Sequence, residues 1–554
     1  MNDNERLAEL IFPEITETIE DLEREYPERN LPDGAIVDRF APSPTGFLHS
    51  GSLFTALVGY KFALQTKGVF MMRLEDTDTK REIEGSGEKL LSEMREFGVV
   101  PMEGYYGTYE EGSYGPYVQS NRANIYKVVI KEMIKRGMAY PCFCSHEDLD
   151  TLRKIQEEKK ENPGYYGEYA KCSHLSAKEA IEKIEKGEPY IIRFRSTGSH
   201  LNKIHVHDLI KGDLDLSEND QHIVILKSDG LPTYHFAHLC DDHFMRTNVV
   251  MRGEEWLSSL PIHYELFNSL GFKMPEYAHL PVIMKQDNGK RRKLSKRLDQ
   301  EASVSYFLER GYFKEAIVEY LFTLANSNFE EWRLSHLDSN IYDFDFTFEK
   351  FNVDGALFDL DKINDISKER LSRLSKREFT DYALDYASKY EPRLKELIER
   401  DRPYFESIIN IEREKENPRK DYVKFNDVFD FIKFFYKDHF DELLSNGFEF
   451  NEKFNSDVIK GVLEAHLNNL GLSLDEQEWF QNMKDSMSKL GFAANKKELR
   501  DNPDMFIGTI GDASEIIRVS LTGRKSSPNL YYVEKILGKE EIERRFNSVI
   551  KNLV

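Results

Sequence analysis

The chain has 554 residues, 40% hydrophobic and 31% charged, a length that exceeds one core and implies roughly three to five units of a globular protein. Its 76 Lys+Arg against 98 Asp+Glu leave a net charge of −22, which predicts weak non-specific binding to nucleic acid and a partner gripped at defined local patches. No run of about eighteen apolar residues occurs, so a membrane span is excluded; the acidic start MNDNERLAELIFPE is neither a secretory signal nor a transit peptide, and a cytoplasmic location is expected.

In chain order, residues 1–33 predict an acidic helix over 4–25 that stops before Pro27 and Pro32, an appendage to the main domain that begins at Gly34. Ala35 to Phe40 alternates and is β-branched, which predicts a strand. Pro42, Pro44 and Gly46 forbid regular structure, and Ser52 to Gln65 carries helical spacing with Ser52 as the expected N-cap. A strand over Val69 to Leu74 precedes a helix over Lys80 to Phe97. A β-loop-α-β unit of this kind implies a parallel sheet with ligands at the carboxyl ends of its strands.

Residues 115–232 interrupt the theme with irregular Tyr/Gly-rich stretches, helices and short strands such as Tyr190 to Arg195. Alternation resumes after Leu231-Pro-Thr-Tyr, with strands over Asn248 to Arg252 and Tyr277 to Met284 around a helix over Trp256 to Leu270. The simplest architecture is one nucleotide-binding domain split by a long insertion. From Ala302 helices dominate, with a further boundary near 370–380 and no internal repeat.

Arg39 to Gly51 lies between a strand and a helix, where a loop stiffened by prolines and opened by glycines brings backbone N–H groups to phosphates. It is not a P-loop, and neither GxxxxGK[ST] nor a GxGxxG after a strand occurs. His49 is placed to donate to charge developing on phosphorus, and Lys293-Leu294-Ser295-Lys296-Arg297 offers two ammonium groups around a small residue. Taken alone, each also reads as a surface or capping residue and a solvated basic loop. Cys142-x-Cys144 and Cys172-x-His174 form two close pairs 27 residues apart; they suit either a structural zinc or reduced cysteines in a small core.

Together these segments resemble the class I aminoacyl-tRNA synthetases, in the form of glutamyl enzymes of bacterial type. His49-Ser50-Gly51-Ser52 matches the family's histidine–glycine motif, Ala41-Pro42-Ser43-Pro44-Thr45 its glutamyl variant, and Arg73-Leu-Glu75-Asp-Thr-Asp78 its second-strand motif. Lys293 to Arg297 resembles the family's mobile lysine loop, Gly230 to His238 and Asp241-Asp242-His243 resemble its amino-acid pocket region, and Val250 to Trp256 and Arg518 to Arg524 extend the likeness.

The resemblance implies an α/β fold: a class I Rossmann-type catalytic domain with a parallel sheet (34–114 and 233–300), split by an α+β insertion that holds the tRNA acceptor end (115–232). An α-helical stem-contact domain (301–375) and a helical anticodon-binding domain (376–554) complete the chain. It implies His49, Lys293 and Lys296 as catalytic residues. ATP would meet Pro42, Ser43, Thr45, Gly46, His49, Gly51 and Ser52 on one side, and Glu255, Leu294, Ser295, Lys296 and Arg297 on the other. Glutamate would meet Arg39, Ala41, Ser43, Glu75, Tyr234, His238 and Arg252, arginines facing its carboxylates and Glu75 its ammonium. It further implies ATP with Mg²⁺, tRNA(Glu), a monomer, and a structural Zn²⁺ held by Cys142, Cys144, Cys172 and His174. The rival readings are an enzyme that also charges tRNA(Gln), a glutaminyl enzyme, and a catalytically silent tRNA-binding paralogue.

Overall fold

The computed structural model describes residues 2–78, 81–295 and 297–553. The chain divides into two compact units, residues 1–308 with 317–360, and residues 309–316 with 361–554. The division falls at Leu360, ahead of the 370–380 region read from composition.

In the first unit, α1 (Asp3–Ile11) and α2 (Ile19–Glu25) replace the single helix expected over 4–25. Pro13 cannot continue a helix, and each helix starts on its own capping box, Asn2 with Glu5 and Thr18 with Asp21. The extension is docked: Arg29 donates to Glu103 and to the Met245 carbonyl, and Lys131 Nζ donates to the carbonyls of Phe12 and Ile15.

Four buried residues form β1 (Val37–Phe40), paired in parallel with β2 (Val69–Met72), which pairs in parallel with β3 (Glu103–Tyr105); β4 (Glu110–Glu111) closes this sheet antiparallel. Between β1 and β2, α3 (Ser50–Thr66) covers the sheet with Phe54, Leu57, Val58 and Phe62. It approaches so closely at Gly59 that a Cβ there would lie 2.2 Å from Asp38 Oδ2. The helix expected over 80–97 is shorter, α4 (Ser86–Glu96); Lys80 itself lies outside the described residues.

The insertion packs α5 (Ala123–Lys135), α6 (His146–Lys159) and α7 (Ala177–Glu185) with an antiparallel sheet of β5 (Ala139–Cys142), β6 (Ile191–Phe194) and, further along the chain, β9 (Val224–Leu226). The hairpin of β7 (Lys203–Asp208) and β8 (Gly212–Ser217) leaves it to join the catalytic sheet. After α8 (Tyr234–Phe244), β10 (Val249–Gly253) pairs in parallel with β11 (Glu276–Leu280), and β11 meets β7 in parallel. The helix expected over 256–270 is a 3₁₀ turn followed by α9 (Leu260–Leu270), where Pro261 occupies the first turn, whose N–H groups need no partner.

The single parallel sheet expected for the catalytic domain is thus two mixed sheets. An edge strand of one, β1, lies beside an edge strand of the other, β10, joined by one backbone bond from Asn248 N to the Val37 carbonyl and by side chains: Val37 N donates to Asn248 Oδ1 at 2.7 Å and Met251 N to Asp38 Oδ1 at 3.2 Å. Residues 317–360 belong to this unit because they pack on α3, with Lys61 Nζ donating to the Tyr342 carbonyl and Phe62 stacked on Phe348.

The second unit is helical, built around a core that includes Phe379, Phe405, Val428, Trp479, Ile517 and Phe546. Within it Glu534 is fully buried between His466 and the indole N–H of Trp479. Among the described residues no helix is long and apolar enough to cross a membrane.

Candidate active site

At the carboxyl end of β1 the chain leaves the sheet through Ala41 to Gly46, and His49 caps α3: its Nδ1 accepts from Gly51 N at 2.9 Å. The cap expected at Ser52 is therefore His49, three residues earlier, because an imidazole nitrogen serves the orphan N–H as well as a hydroxyl does. That bond fixes the tautomer and makes Nε2 the ring's donor.

The loop opens on a cavity of about 1570 Å³ that runs from the two catalytic sheets toward the insertion. Arg39, Ala41, Pro42, Ser43, His49, Gly51 and Ser52 line it from the first half. Glu75 comes from beyond β2, Tyr234 from α8, and Arg252, Glu255, Lys293, Leu294 and Ser295 from the second half. Thr45, Gly46, Arg297 and His238 are not on its wall, and Lys296 lies outside the described residues. His238 is fully buried behind it, with Nδ1 2.9 Å from Asp242 and Nε2 2.8 Å from the Tyr277 hydroxyl.

The arginines are held from behind. Arg39 Nε meets both oxygens of Asp242 at 3.0 and 3.2 Å, and Arg73 bridges Asp242 at 2.7 Å and Glu75 at 3.1 Å. Asp241, the next residue of α8, receives Arg122 at 2.6 Å and Gln119 at 2.8 Å. Burial opposes ionisation of Asp242, but Arg39 and Arg73 hold it well below the ordinary carboxylate range. Burial raises Glu75 despite those same arginines, so this carboxylate gains from a cation in the cavity. Burial also lowers His235 and His238 to about 4, which keeps these two imidazoles neutral.

The lysine segment is more ordered than a free basic loop. It starts as a hairpin, β12 (Met284–Asp287) with β13 (Lys290–Lys293), turned by Asn288-Gly289 with both φ positive. Arg292 pairs with Asp299 at 2.6 Å, and Ser295 N donates to Asp299 at 2.9 Å. Lys293 ends β13 with Nζ 2.8 Å from Glu255 and lines the same cavity as His49. Two of the hairpin's cations, Lys285 and Arg292, are thus paired with Asp299 of the same segment.

In the insertion, the sulfurs of Cys142, Cys144 and Cys172 lie within 4.8 Å of one another, the only such group of potential metal ligands among the described residues. His174, expected as fourth ligand, is not with them. It sits on the 3₁₀ turn Lys171–His174, where residues two apart project to different sides, and its side chain is exposed. The group that approaches instead is the Tyr165 hydroxyl, 3.5 Å from Cys142 Sγ and 3.3 Å from Cys144 Sγ. Three thiols and a phenol converging with no carboxylate are a donor set suited to a closed tetrahedral zinc.

The sequence placed Asp241 and Asp242 in the pocket region by resemblance but not their pairing with Arg39, Arg73 and Arg122; Arg73 as the hub of the carboxylates, Arg122 and Tyr165 went unread. Asp241-Asp242 carried a signal, since two adjacent acids on an apolar helix face require buried cations.

Two mixed half-sheets, each with three parallel strands, carrying a proline- and glycine-rich loop on one and a lysine hairpin on the other, define a class I synthetase catalytic domain. Residues 35–365 match the model of tRNA synthetases class I (E and Q), catalytic domain, and the chain belongs to that family. Glutamate–tRNA ligases of Clostridium beijerinckii and Acetivibrio thermocellus are each 43% identical to it, over 99% of this chain and 99% and 100% of theirs. That of Sorangium cellulosum is 36% identical over 95% of this chain and 96% of its own. Among solved structures, a glutamate tRNA ligase from Elizabethkingia meningosepticum in complex with its amino acid matches with a TM-score of 0.73 at 27% identity, covering 94% of this chain and 100% of that one.

Proposed function

We propose that this enzyme joins L-glutamate to the 3′ end of tRNA(Glu) in two steps. An oxygen of glutamate's α-carboxylate attacks the α-phosphorus of ATP, which enters with Mg²⁺, and pyrophosphate leaves as glutamyl-adenylate forms. The 2′-hydroxyl of the terminal adenosine then attacks the acyl carbon, and AMP leaves. The observation that carries this reading is one cavity holding both a phosphate-type wall (His49, Gly51, Lys293) and an amino-acid wall (Arg39, Arg252, Glu75, Tyr234).

His49 Nε2 and the Lys293 and Lys296 ammonium groups act on charge that grows at phosphorus and on departing pyrophosphate, so their hydrogen bonds strengthen in the transition state. For Lys293 this means exchanging Glu255 for phosphate oxygens. Ser43, Thr45, Gly46, Ser52, Leu294, Ser295 and Arg297 complete the ATP site. Carboxylate is recognised over amide because a buried guanidinium left facing a neutral group costs about 2–5 kcal/mol.

Cys142, Cys144, Cys172 and Tyr165 would hold a structural Zn²⁺, which braces the insertion and takes no part in the chemistry. The insertion (115–232) receives the acceptor end, residues 301–375 contact the stem and residues 376–554 read the anticodon, in a cytoplasmic monomer. ATP–pyrophosphate exchange with glutamate, with and without tRNA, followed by aminoacylation of tRNA(Glu) and tRNA(Gln), tests the proposal. Absence of exchange under both conditions refutes it, and charging of both tRNAs selects the non-discriminating form.

A further inference from the structure

The two cavity arginines are gripped in chemically different ways. Arg39 Nε faces the carboxylate of Asp242. Arg252 Nε instead donates to His279 Nε2 at 3.0 Å, and the other ring nitrogen of His279 lies 2.6 Å from Asp208 Oδ2. Asp208 and His279 are fully buried and come from the ends of β7 and β11, far in sequence from Arg252 on β10. Asp208 also accepts from the backbone N–H groups of Ile210 at 3.0 Å, Lys211 at 2.8 Å and His279 at 3.2 Å.

This arrangement determines a proton position. A carboxylate already receiving three backbone N–H groups can only accept, so His279 must carry its proton on Nδ1 and offer the Nε2 lone pair to Arg252. Burial keeps His279 below the ordinary imidazole value, against the pull of Asp208; for Asp208 itself, the His279 and backbone bonds outweigh burial and keep it ionised. The remaining partners of Arg252 are neutral: the Tyr234 hydroxyl, His263 Nδ1 and the Trp256 carbonyl at 3.3–3.4 Å, with the Tyr277 ring 4.8 Å beneath. Among the described residues it has no ion-pair partner, whereas Arg39 has one.

We propose that Asp208 and His279 are positioning residues for amino-acid recognition: through the Asp208–His279–Arg252 chain they fix the plane of the Arg252 guanidinium and leave its charge for a substrate carboxylate. The inference rests on the reading of the cavity as a glutamate site. Arg39, already compensated by Asp242, supplies shape and hydrogen bonds; Arg252 supplies the charge that separates acid from amide.

The test uses steady-state kinetics of the full chain with glutamate, ATP and tRNA. In Asp208→Asn the side-chain oxygen stays on the backbone N–H groups and the new NH₂ faces His279. The ring is then driven to its other tautomer, with N–H against the Arg252 N–H. The glutamate KM is expected to rise about tenfold or more while the ATP KM stays within about twofold and kcat falls less than KM rises. His279→Ala is expected to behave likewise, and His279→Gln, whose amide can both accept from Arg252 and donate to Asp208, to recover most of the loss. In an Arg252→Lys background the Asp208→Asn effect should shrink to about twofold or less. Should Asp208→Asn not accumulate as folded protein, the alanine–glutamine pair at His279 decides. A wild-type glutamate KM in Asp208→Asn and His279→Ala, equal losses for glutamate and ATP, no rescue by glutamine, or full additivity with Arg252→Lys would overturn the proposal. A wild-type chain that charges no tRNA with glutamate would instead sink the functional reading on which it stands.

Discussion

Asp38 is the sharpest place to test the physics of this catalytic domain. Its side chain is 1% exposed, reaching from β1 to Met251 N on β10 and against Gly59 of α3, and burial raises its pKa from 3.8 to about 7. A carboxyl that holds its proton more tightly when folded than when unfolded costs stability as pH rises from 3.8 toward 7, and the cost is constant above. At 1.36 kcal/mol per unit, the cost is about 1.5 kcal/mol at pH 5 and about 4 kcal/mol at pH 8. Asp38→Asn keeps the acceptor for Met251 N and removes the titration, so it is expected to stabilise, and by about 2.5 kcal/mol more at pH 8 than at pH 5. For a unit of about 350 residues the unfolding entropy is near 0.7 kcal/mol/K, so the gap in Tm between variant and wild type should widen by about 3 °C. Thermal melts of both proteins at pH 5, 6, 7 and 8 measure this. A Tm difference that does not change with pH, or that narrows, refutes the reasoning.

Lys293→Ala is expected to lower the rate of glutamate-dependent pyrophosphate exchange by about 10²–10³ while shifting the glutamate KM only a few-fold, because its ammonium acts on the leaving phosphates. Metal analysis of purified protein should find about one zinc per chain in the wild type and in His174→Ala, and a marked loss in Cys144→Ser and Tyr165→Phe; zinc retained in Tyr165→Phe but lost in His174→Ala would restore the histidine as ligand. Arg29→Ala breaks a nearly buried pair with Glu103 and abandons the Met245 carbonyl, and is expected to cost about 3–5 kcal/mol, read as a lower Tm; a simultaneous Glu103→Ala should return part of that loss. Gly59→Ala gains about 1 kcal/mol of helix propensity yet places a Cβ 2.2 Å from Asp38 Oδ2, so it should destabilise, and less so in an Asp38→Ala background.

Much of the catalytic frame was readable in the amino acids. Strands at Val37, Val69, Val249 and Glu276 arise from β-branched or buried runs closed by Pro and Gly, and Pro42, Pro44 and Gly46 announce the loop between them. Where reading fell short, three-dimensional direction was the missing quantity. Cys172 and His174 are two residues apart, and only the 3₁₀ turn determines that one points inward and the other to solvent. Pro13 did announce the break between the first two helices, but the acidic composition on either side reads as continuous. Asp208 and His279 gave no local signal, because each gains its role only when β7, β10 and β11 come together. The cap at His49 shows the converse: a residue assigned to chemistry also builds the helix that presents it.

The row of buried charges behind the cavity alternates in sign, Arg39, Asp242, Arg73, Asp241, Arg122, and its members come from β1, α8, the end of β2 and the start of the insertion. Such a row cannot be exchanged one member at a time. Replacing Arg122 leaves Asp241 with only the longer 3.6 Å pair to Arg73, and replacing Arg73 takes one cation from each of two acids and loosens Glu75. A graft of a relative's insertion onto this catalytic core must therefore carry the Arg122–Asp241 pair as a single cassette, and sequence drift at these positions must proceed by paired or triple changes. The pocket is inherited as a block, even though the chain that encodes it is scattered over more than two hundred residues.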